Sequence, residues 1–486
     1  MKLTGVTPLF DRSVIDGEKT TADLTVGVPI RRETVFSADM PWENGRAHYM
    51  NVVFDGEKYR GYYISCYGAG GESNEETVAL VNTSVCYIES EDGFNWRRPI
   101  LRLCEINGSL ENNVILRSKD KNDGERGDFF DNFFVFFDTN PACKREERFK
   151  ALAYAHPYKL SAYVSEDGIG FNPIGILDIK GKFDSNNPCY FDEKINKYVA
   201  YIRDFHDVPE NGDLNAGIRD ARRCVSDDFI NWSEPELIKF PDSSDYPIYT
   251  SQIMPYYRNS DILIGFPTRY CERTSWTDNF DKLCGKERRK SRLENAPHTR
   301  IALTVTDCIF MASRDGVNFY KCDEAFITPG PEYAENWIYG NCYPAYFMKE
   351  TAAENGTDSE ISMLVGHYHT MSYCENTRCD EFVRYTVRKD GFAFYQAKYR
   401  GARVVTKPFV FEGESMRINF STSAKGSVYI TVKDADGNSA RTCELFGDST
   451  EREVSFEGVS LSDFRDREVT LEFEMKDAKI YSFEIV

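Results

Sequence analysis

Ser90-Glu91-Asp92-Gly93-Phe94-Asn95-Trp96 opens a pattern that the chain repeats. It returns as Ser165-Glu166-Asp167-Gly168-Ile169-Gly170-Phe171, as Ser226-Asp227-Asp228-Phe229-Ile230-Asn231-Trp232 and as Ser313-Arg314-Asp315-Gly316-Val317-Asn318-Phe319. A weaker fifth copy is Arg388-Lys389-Asp390-Gly391-Phe392-Ala393-Phe394. The template is Ser-x-Asp-Gly-x-x-aromatic, broken at Phe229 and at Arg388. Each copy reads as a hairpin turn, because Gly accepts positive φ and Asp bonds the backbone just beyond it. The aspartates are spaced 75, 61, 87 and 75 residues apart, about the length of one four-stranded blade with its loops.

Strand-like runs fill the intervals, such as 49–54 and 59–65 in the first and 133–137 and 149–155 in the second. Each interval reads strand, strand, strand, Asp-Gly turn, strand. The sequence therefore predicts an all-β fold, with a five-bladed β-propeller over residues 1–400. Beyond it the texture changes. Residues 403–486 alternate apolar and polar, as in Ser427-Val428-Tyr429-Ile430-Thr431-Val432, and predict a small β-sandwich. Residues 274–299 form a long polar insertion, of the kind that serves as a lid or stays disordered.

Composition narrows the function classes. A net charge of −19 disfavours nucleic acid and anionic membrane as partners, since phosphate binding needs clustered Lys and Arg. The first 28 residues hold no apolar leader run, so a cytoplasmic protein is expected. Fourteen scattered cysteines then read mostly as buried thiols. Cys374 and Cys379, near His367 and His369, match no standard zinc spacing, and no metal site is assigned. No nucleotide loop, GxSxG elbow or HExxH motif is present, so serine and nucleotide chemistry have no support.

Carboxylates, amides and aromatics at the predicted blade starts remain. They include Trp42 and Glu43, Asp131 and Asn132, Asp184, Gln252, and Glu335, Trp337 and Asn341. Glycoside cleavage needs one protonated and one ionised carboxyl group, which crowding and burial provide. Trp42 and Trp337 suit stacking on a sugar face, and equally suit packing between blades. Asp131 suits loop capping as well as binding. Arg203, Arg269 and His369 complete the candidate binding set; Arg203 also suits a structural pair with Asp204.

Asp184 and the run Asp192-Glu193-Lys194-Ile195-Asn196-Lys197-Tyr198-Val199 resemble the catalytic-aspartate strand of glycoside hydrolase family 32. The order propeller then sandwich is similar to that family too, and the propeller alone is shared with families 43, 68 and 130. The resemblance implies a glycosidase that needs no cofactor and acts on a terminal sugar, such as a furanoside, of an oligosaccharide or small glycoside. It implies Asp184 as the stabiliser of the transition state. The family's Asn-Asp-Pro nucleophile motif is absent; Trp42-Glu43-Asn44-Gly45 stands there, making Glu43 the substitute base or nucleophile. The family's acid Glu is replaced by Ser251-Gln252, which cannot protonate a leaving group, so Glu335 or Glu272 is the expected acid. A non-catalytic carbohydrate-binding propeller is one alternative. Another is a phosphate-using phosphorylase with Arg203, Arg269 and His369 at its site. The sequence leaves the oligomeric state open.

Overall fold

The computed structural model describes residues 1–67, 82–118, 130–155, 158–295, 302–354, 356, 358–369 and 378–486. Cys374 and residues 296–299 of the polar insertion lie outside them. The chain is nearly all-β, with 48% strand and 7% helix.

Five four-stranded antiparallel units follow one another, the first and fifth joined by a single parallel bridge between Asn51 and Tyr346 into one eight-stranded sheet. Their innermost strands are His48–Phe54, Phe133–Phe137, Cys189–Asp192, Met254–Tyr256 and Tyr343–Ala352. In the first four units the fourth strand comes after the Asp-containing turn, as the repeat implies. The fifth unit differs. Its outer strand is Ile30–Ser37 from the N-terminal region, paired with Glu381–Arg388. After Asp390 the chain leaves as Ala393–Ala397, which pairs with the C-terminal strand Val469–Ile485.

Side chains alternate between two neighbours, because successive residues of a strand point to opposite faces. Tyr62 and Ile64 pack toward the second unit, while Tyr63 packs toward the fifth. Ile262 and Ile264 pack toward the fifth unit, while Leu263 packs toward the third. A separate apolar cluster fills the space between each two successive units, and another joins the first to the fifth. Both faces of every unit are thus covered, which explains the near-continuous apolar runs.

The Asp-Gly turns are the second device between units. In the first copy Asp92 Oδ1 accepts from the backbone N–H groups of Phe94 and Asn95, both at 2.8 Å. Gly93 has φ +85° and sits against Phe347 of the fifth unit. Tyr62 of the first unit donates to the Gly168 carbonyl at 2.9 Å, and Tyr201 of the third donates to Gly316 at 2.9 Å. Phe229, which replaces glycine, still takes φ +69° and packs its ring on Phe136 of the second unit. In the fifth copy the positive φ moves to Asp390, whose carboxylate accepts from Tyr256, Arg258 and Ser482.

The C-terminal strands Met416–Asp434 and Val469–Ile485 pair along most of their length. Val6–Pro8 and Ala402–Val405 add to the second of these, and Asp23–Val26 pairs with Ala393–Ala397. These strands enclose their own core of Leu9, Phe411, Phe420, Ile430 and Phe473. In the polar insertion, 274–295 is ordered and carries helices Asp278–Lys282 and Lys286–Asn295. Arg289 on the second helix is buried and donates to the Trp337 carbonyl at 2.7 Å.

Candidate functional site

The chain enters the innermost strands through left-handed backbone at Tyr49 (φ +55°), Phe183 (+55°), Gln252 (+44°) and Cys342 (+61°). None is glycine. Such backbone is strained for these residues and persists only where surrounding contacts impose it. The same segments meet from all five units. Tyr49 donates its hydroxyl to Tyr249 at 3.2 Å, and Tyr249 donates to the Asp184 carbonyl at 3.2 Å. Asn186 Nδ2 donates to the Tyr49 carbonyl at 3.4 Å. The Tyr49 N–H donates to the Tyr368 hydroxyl at 2.9 Å. Asp131 from the second unit faces Asp184 closely enough to feel its charge.

Asp131 is the most altered acid here. Burial, reinforced by the charge of Asp184, pushes its carboxyl up to about 7, against the pull of Arg46 and Arg203. A carboxyl group that holds its proton therefore stands beside the carboxylate that ion-pairs with Arg203. Asp184 is 40% exposed and ion-pairs with the buried Arg203. Arg203 is held by the faces of Phe205, at 4.2 Å, and Tyr249, at 5.4 Å. Its backbone N–H donates to Asn187 Oδ1 at 3.1 Å. Arg46 is aimed by its neighbours: its Nε donates to His48 Nδ1 at 3.1 Å, and His48 Nε2 lies 3.0 Å from Asp380. Burial and the nearby Arg46 charge hold His48 down at about 4, so it is neutral at ordinary pH.

Of the residues predicted from sequence, Asp131, Asp184 and Arg203 are brought together. The others have different surroundings. Glu43 is fully buried and takes a bidentate pair from Arg98, at 2.7 and 3.0 Å, with a further hydrogen bond from Tyr63. Its oxygens are thus spent on the protein. Trp42 donates to Asn113 at 2.6 Å and packs in the apolar cluster between the first and fifth units. Asn132 donates to the Phe183 carbonyl at 2.7 Å and Gln252 to the Pro344 carbonyl at 2.7 Å, so these amides stitch neighbouring units. Arg269 forks onto Asp307 at 2.8 and 2.6 Å. Arg203 pairs with Asp184, and Asp204 is taken by Arg222.

Glu335 lies 3.8 Å from Arg288 of the insertion helix, and its carbonyl is 3.3 Å from His369 Nδ1. Trp337 donates to the Gly330 carbonyl at 2.9 Å. Asn341 is buried and accepts from the Ile338 N–H at 3.2 Å. His369 Nε2 stands 3.7 Å from Glu381. Burial would raise Glu381, but His369 and Arg378 outweigh it and hold it at about 2. Among the described residues no three His, Cys, Asp or Glu side chains gather as a metal cage, and the described cysteines are free thiols.

Sequence reasoning missed Arg46, Tyr49, Tyr249 and Arg219. Arg46 and Tyr49 lie on either side of His48, the first residue of an innermost strand. Arg219 carries a weaker signal, a cation in a strand otherwise expected to be covered on both faces.

No family model and no curated protein matches the chain. Solved structures do, at low identity. A glycoside hydrolase family 43 arabinoxylan arabinofuranohydrolase from Bacillus subtilis is 11% identical, covering 94% of this chain and 99% of its own, with a TM-score of 0.41. The Bombyx mori family 32 β-fructofuranosidase is 9% identical over 92% and 94%, with a TM-score of 0.38. A structure from the family 130 mannoside phosphorylases, a family containing hydrolases that target β-1,2 mannosidic linkages in Candida mannan, is 10% identical over 75% and 96%, with a TM-score of 0.41. These likenesses are distant; the chemistry open to the site is set by the chain's own residues.

Proposed function

We propose that the protein is a glycoside hydrolase that removes a terminal sugar from an oligosaccharide or small glycoside. The observation that carries this reading is the proton-holding Asp131 beside the charged Asp184. Asp131 gives its proton to the leaving oxygen, a role that works best with a pKa near the working pH. Asp184 steadies the positive charge that develops on the sugar ring as the bond breaks, and a water molecule then bonds to the ring carbon bearing that charge and returns a proton to the Asp131 carboxylate. Arg203 fixes the position of Asp184, and Arg46 keeps Asp131 from binding its proton too tightly. Glu43 and Glu335 are left out of the chemistry in this reading. The five units are read as blades of a five-bladed propeller. Residues 403–486, joined by the first strands of the chain, are read as its C-terminal sandwich.

Sugar release from a panel of fructosides, arabinosides, galactosides and mannosides, with and without phosphate, tests the proposal. Release that falls about 10²–10⁴-fold in Asp131→Asn supports it. Release that is unchanged in both Asp131→Asn and Asp184→Asn removes it.

A further inference from the structure

Arg219 is 5% exposed, and among the described residues its guanidinium has no hydrogen-bond or ion-pair partner, while its backbone carbonyl accepts from the Ile248 N–H at 3.1 Å. It lies across the strand pair from Phe205, in the ladder that joins Lys197–His206 to Ile218–Ser226. Its guanidinium carbon sits 4.2 Å from the centre of the Tyr270 ring and 5.4 Å from that of Phe205. Arg203, two residues before Phe205 on the same face, places its own guanidinium 4.2 Å from that ring. Two buried cations therefore share one aromatic ring beside Asp184.

Only one of them is neutralised. Asp184 answers Arg203. The nearest acids along the strand are committed elsewhere: Asp204 to Arg222, and Asp220 to Arg222 and His206. Two partly buried arginines elsewhere in the chain do carry a carboxylate, Arg98 with Glu43 and Arg269 with Asp307, while the buried Arg289 is satisfied by backbone carbonyls. Burying a guanidinium without a counter-charge is costly, and stacking on aromatic faces returns only part of that cost. In a chain with 78 acidic residues, a protein acid at this place would have been easy to supply.

We propose that Arg219 seats a carboxylate carried by the substrate, so that the sugar held at this site is a uronic acid. The inference rests on the hydrolase reading for what happens next to that sugar, and on geometry alone for the seat. One unmatched positive charge fits one carboxylate better than a phosphate dianion. Tyr270 stands 5.5 Å from Tyr339 and 6.0 Å from Tyr249, ring centre to ring centre, which provides an aromatic wall between the seat and Asp184. An arginine fork pairs with a planar carboxylate through two parallel hydrogen bonds.

The test is calorimetric binding of glucuronate, galacturonate, mannuronate, iduronate and guluronate, each against its neutral counterpart, with inorganic phosphate as a separate probe. The full chain is used, as wild type, Arg219→Gln and Arg219→Lys. The expected result is a preference of about tenfold or more for at least one uronate over its neutral sugar, most of which is lost in folded Arg219→Gln. Arg219→Lys keeps the charge but not the fork and falls between. If Arg219→Gln does not fold, the wild-type preference and the Lys variant decide. Equal affinity within every pair overturns the proposal, as does a preference that survives Arg219→Gln. Phosphate binding that depends on Arg219, with no uronate preference, reassigns the seat to free phosphate and also overturns it. A uronate preference without turnover of any glycoside leaves the seat standing and removes the hydrolase reading. Turnover that depends on Asp131, without a uronate preference, does the reverse.

Discussion

Asp131 and Asp184 stand before the innermost strands of two successive units, and the charge on Asp184 adds to burial in keeping a proton on Asp131 up to about pH 7. The pH profile of kcat/KM should therefore fall above about 7 as the acid ionises. Arg46 pulls the other way, favouring the charged form. Arg46→Met is expected to move that limb to higher pH, and Asp184→Asn should move the Asp131 titration to lower pH. Carboxyl titration followed by NMR reads both shifts, even where activity is lost. A limb that stays put in both variants argues against Asp131 as its source.

The same shift makes Asp131 a cost to stability. Its proton is held up to about 7 in the folded chain, against about 3.9 for an ordinary aspartate. Between those values the folded state binds more protons than the unfolded one, so this group's contribution falls as pH rises. Its cost is absent below about 4 and complete above about 7. Asp131→Asn should then raise Tm at pH 8 more than at pH 5. A variant that is active-site dead but thermally stronger would fit the usual trade between stability and function. Equal Tm changes at the two pH values would contradict the assignment.

Glu43 is expected to behave as a structural acid. Arg98 reaches it with two hydrogen bonds and also lies 4.4 Å from the centre of the Phe36 ring, in a largely buried setting. Glu43→Gln leaves that guanidinium with only the exposed Asp39, 3.4 Å away, as counter-charge, at a cost of about 3 kcal/mol. Chemical denaturation should show this loss, while the pH limb near 7 persists in the folded fraction. Loss of the limb with stability intact would return Glu43 to the chemistry.

How much of this was legible in the sequence depended on distance along the chain. The Asp-Gly turns are local, since Ser90, Asp92 and Gly93 close one another's hydrogen bonds, and four copies form as read. The fifth fails the pattern because Asp390 serves Arg258 and Ser482, residues far from it in sequence. The strand Ile30–Ser37 was invisible for the same reason: nothing nearby announces that it completes a unit some 350 residues later. Polar residues before a strand pointed to Asp131 and Asp184, which the fold brings near one another. They could not separate these from Glu43, whose fate is set by Arg98, or from Gln252, whose amide bonds the Pro344 backbone. Arg219 gave little signal, because its meaning lies in a partner the chain does not provide.

Gly168 shows why the turn glycines resist substitution. Its φ is +71°, a conformation that costs a side-chain-bearing residue about 1–2 kcal/mol. A Cβ there would stand 2.8 Å from the Tyr62 hydroxyl and 3.1 Å from the Phe149 ring, both buried. That hydroxyl is also the donor to the Gly168 carbonyl, so the clash would break the hydrogen bond between units. Gly168→Ala is therefore expected to destabilise by roughly 3 kcal/mol, through strain and a forced shift together. Tyr62→Phe, which removes only the donor, should cost about 1–3 kcal/mol by leaving a buried carbonyl unpaired. The control is Gly17→Ala, where a Cβ meets nothing within 4 Å and φ is not left-handed; it should be nearly neutral. Urea denaturation of the three variants ranks them. The double variant separates the two causes: if Gly168→Ala acts mainly by breaking the hydrogen bond, then adding Tyr62→Phe to it costs little more, whereas two independent losses add in full.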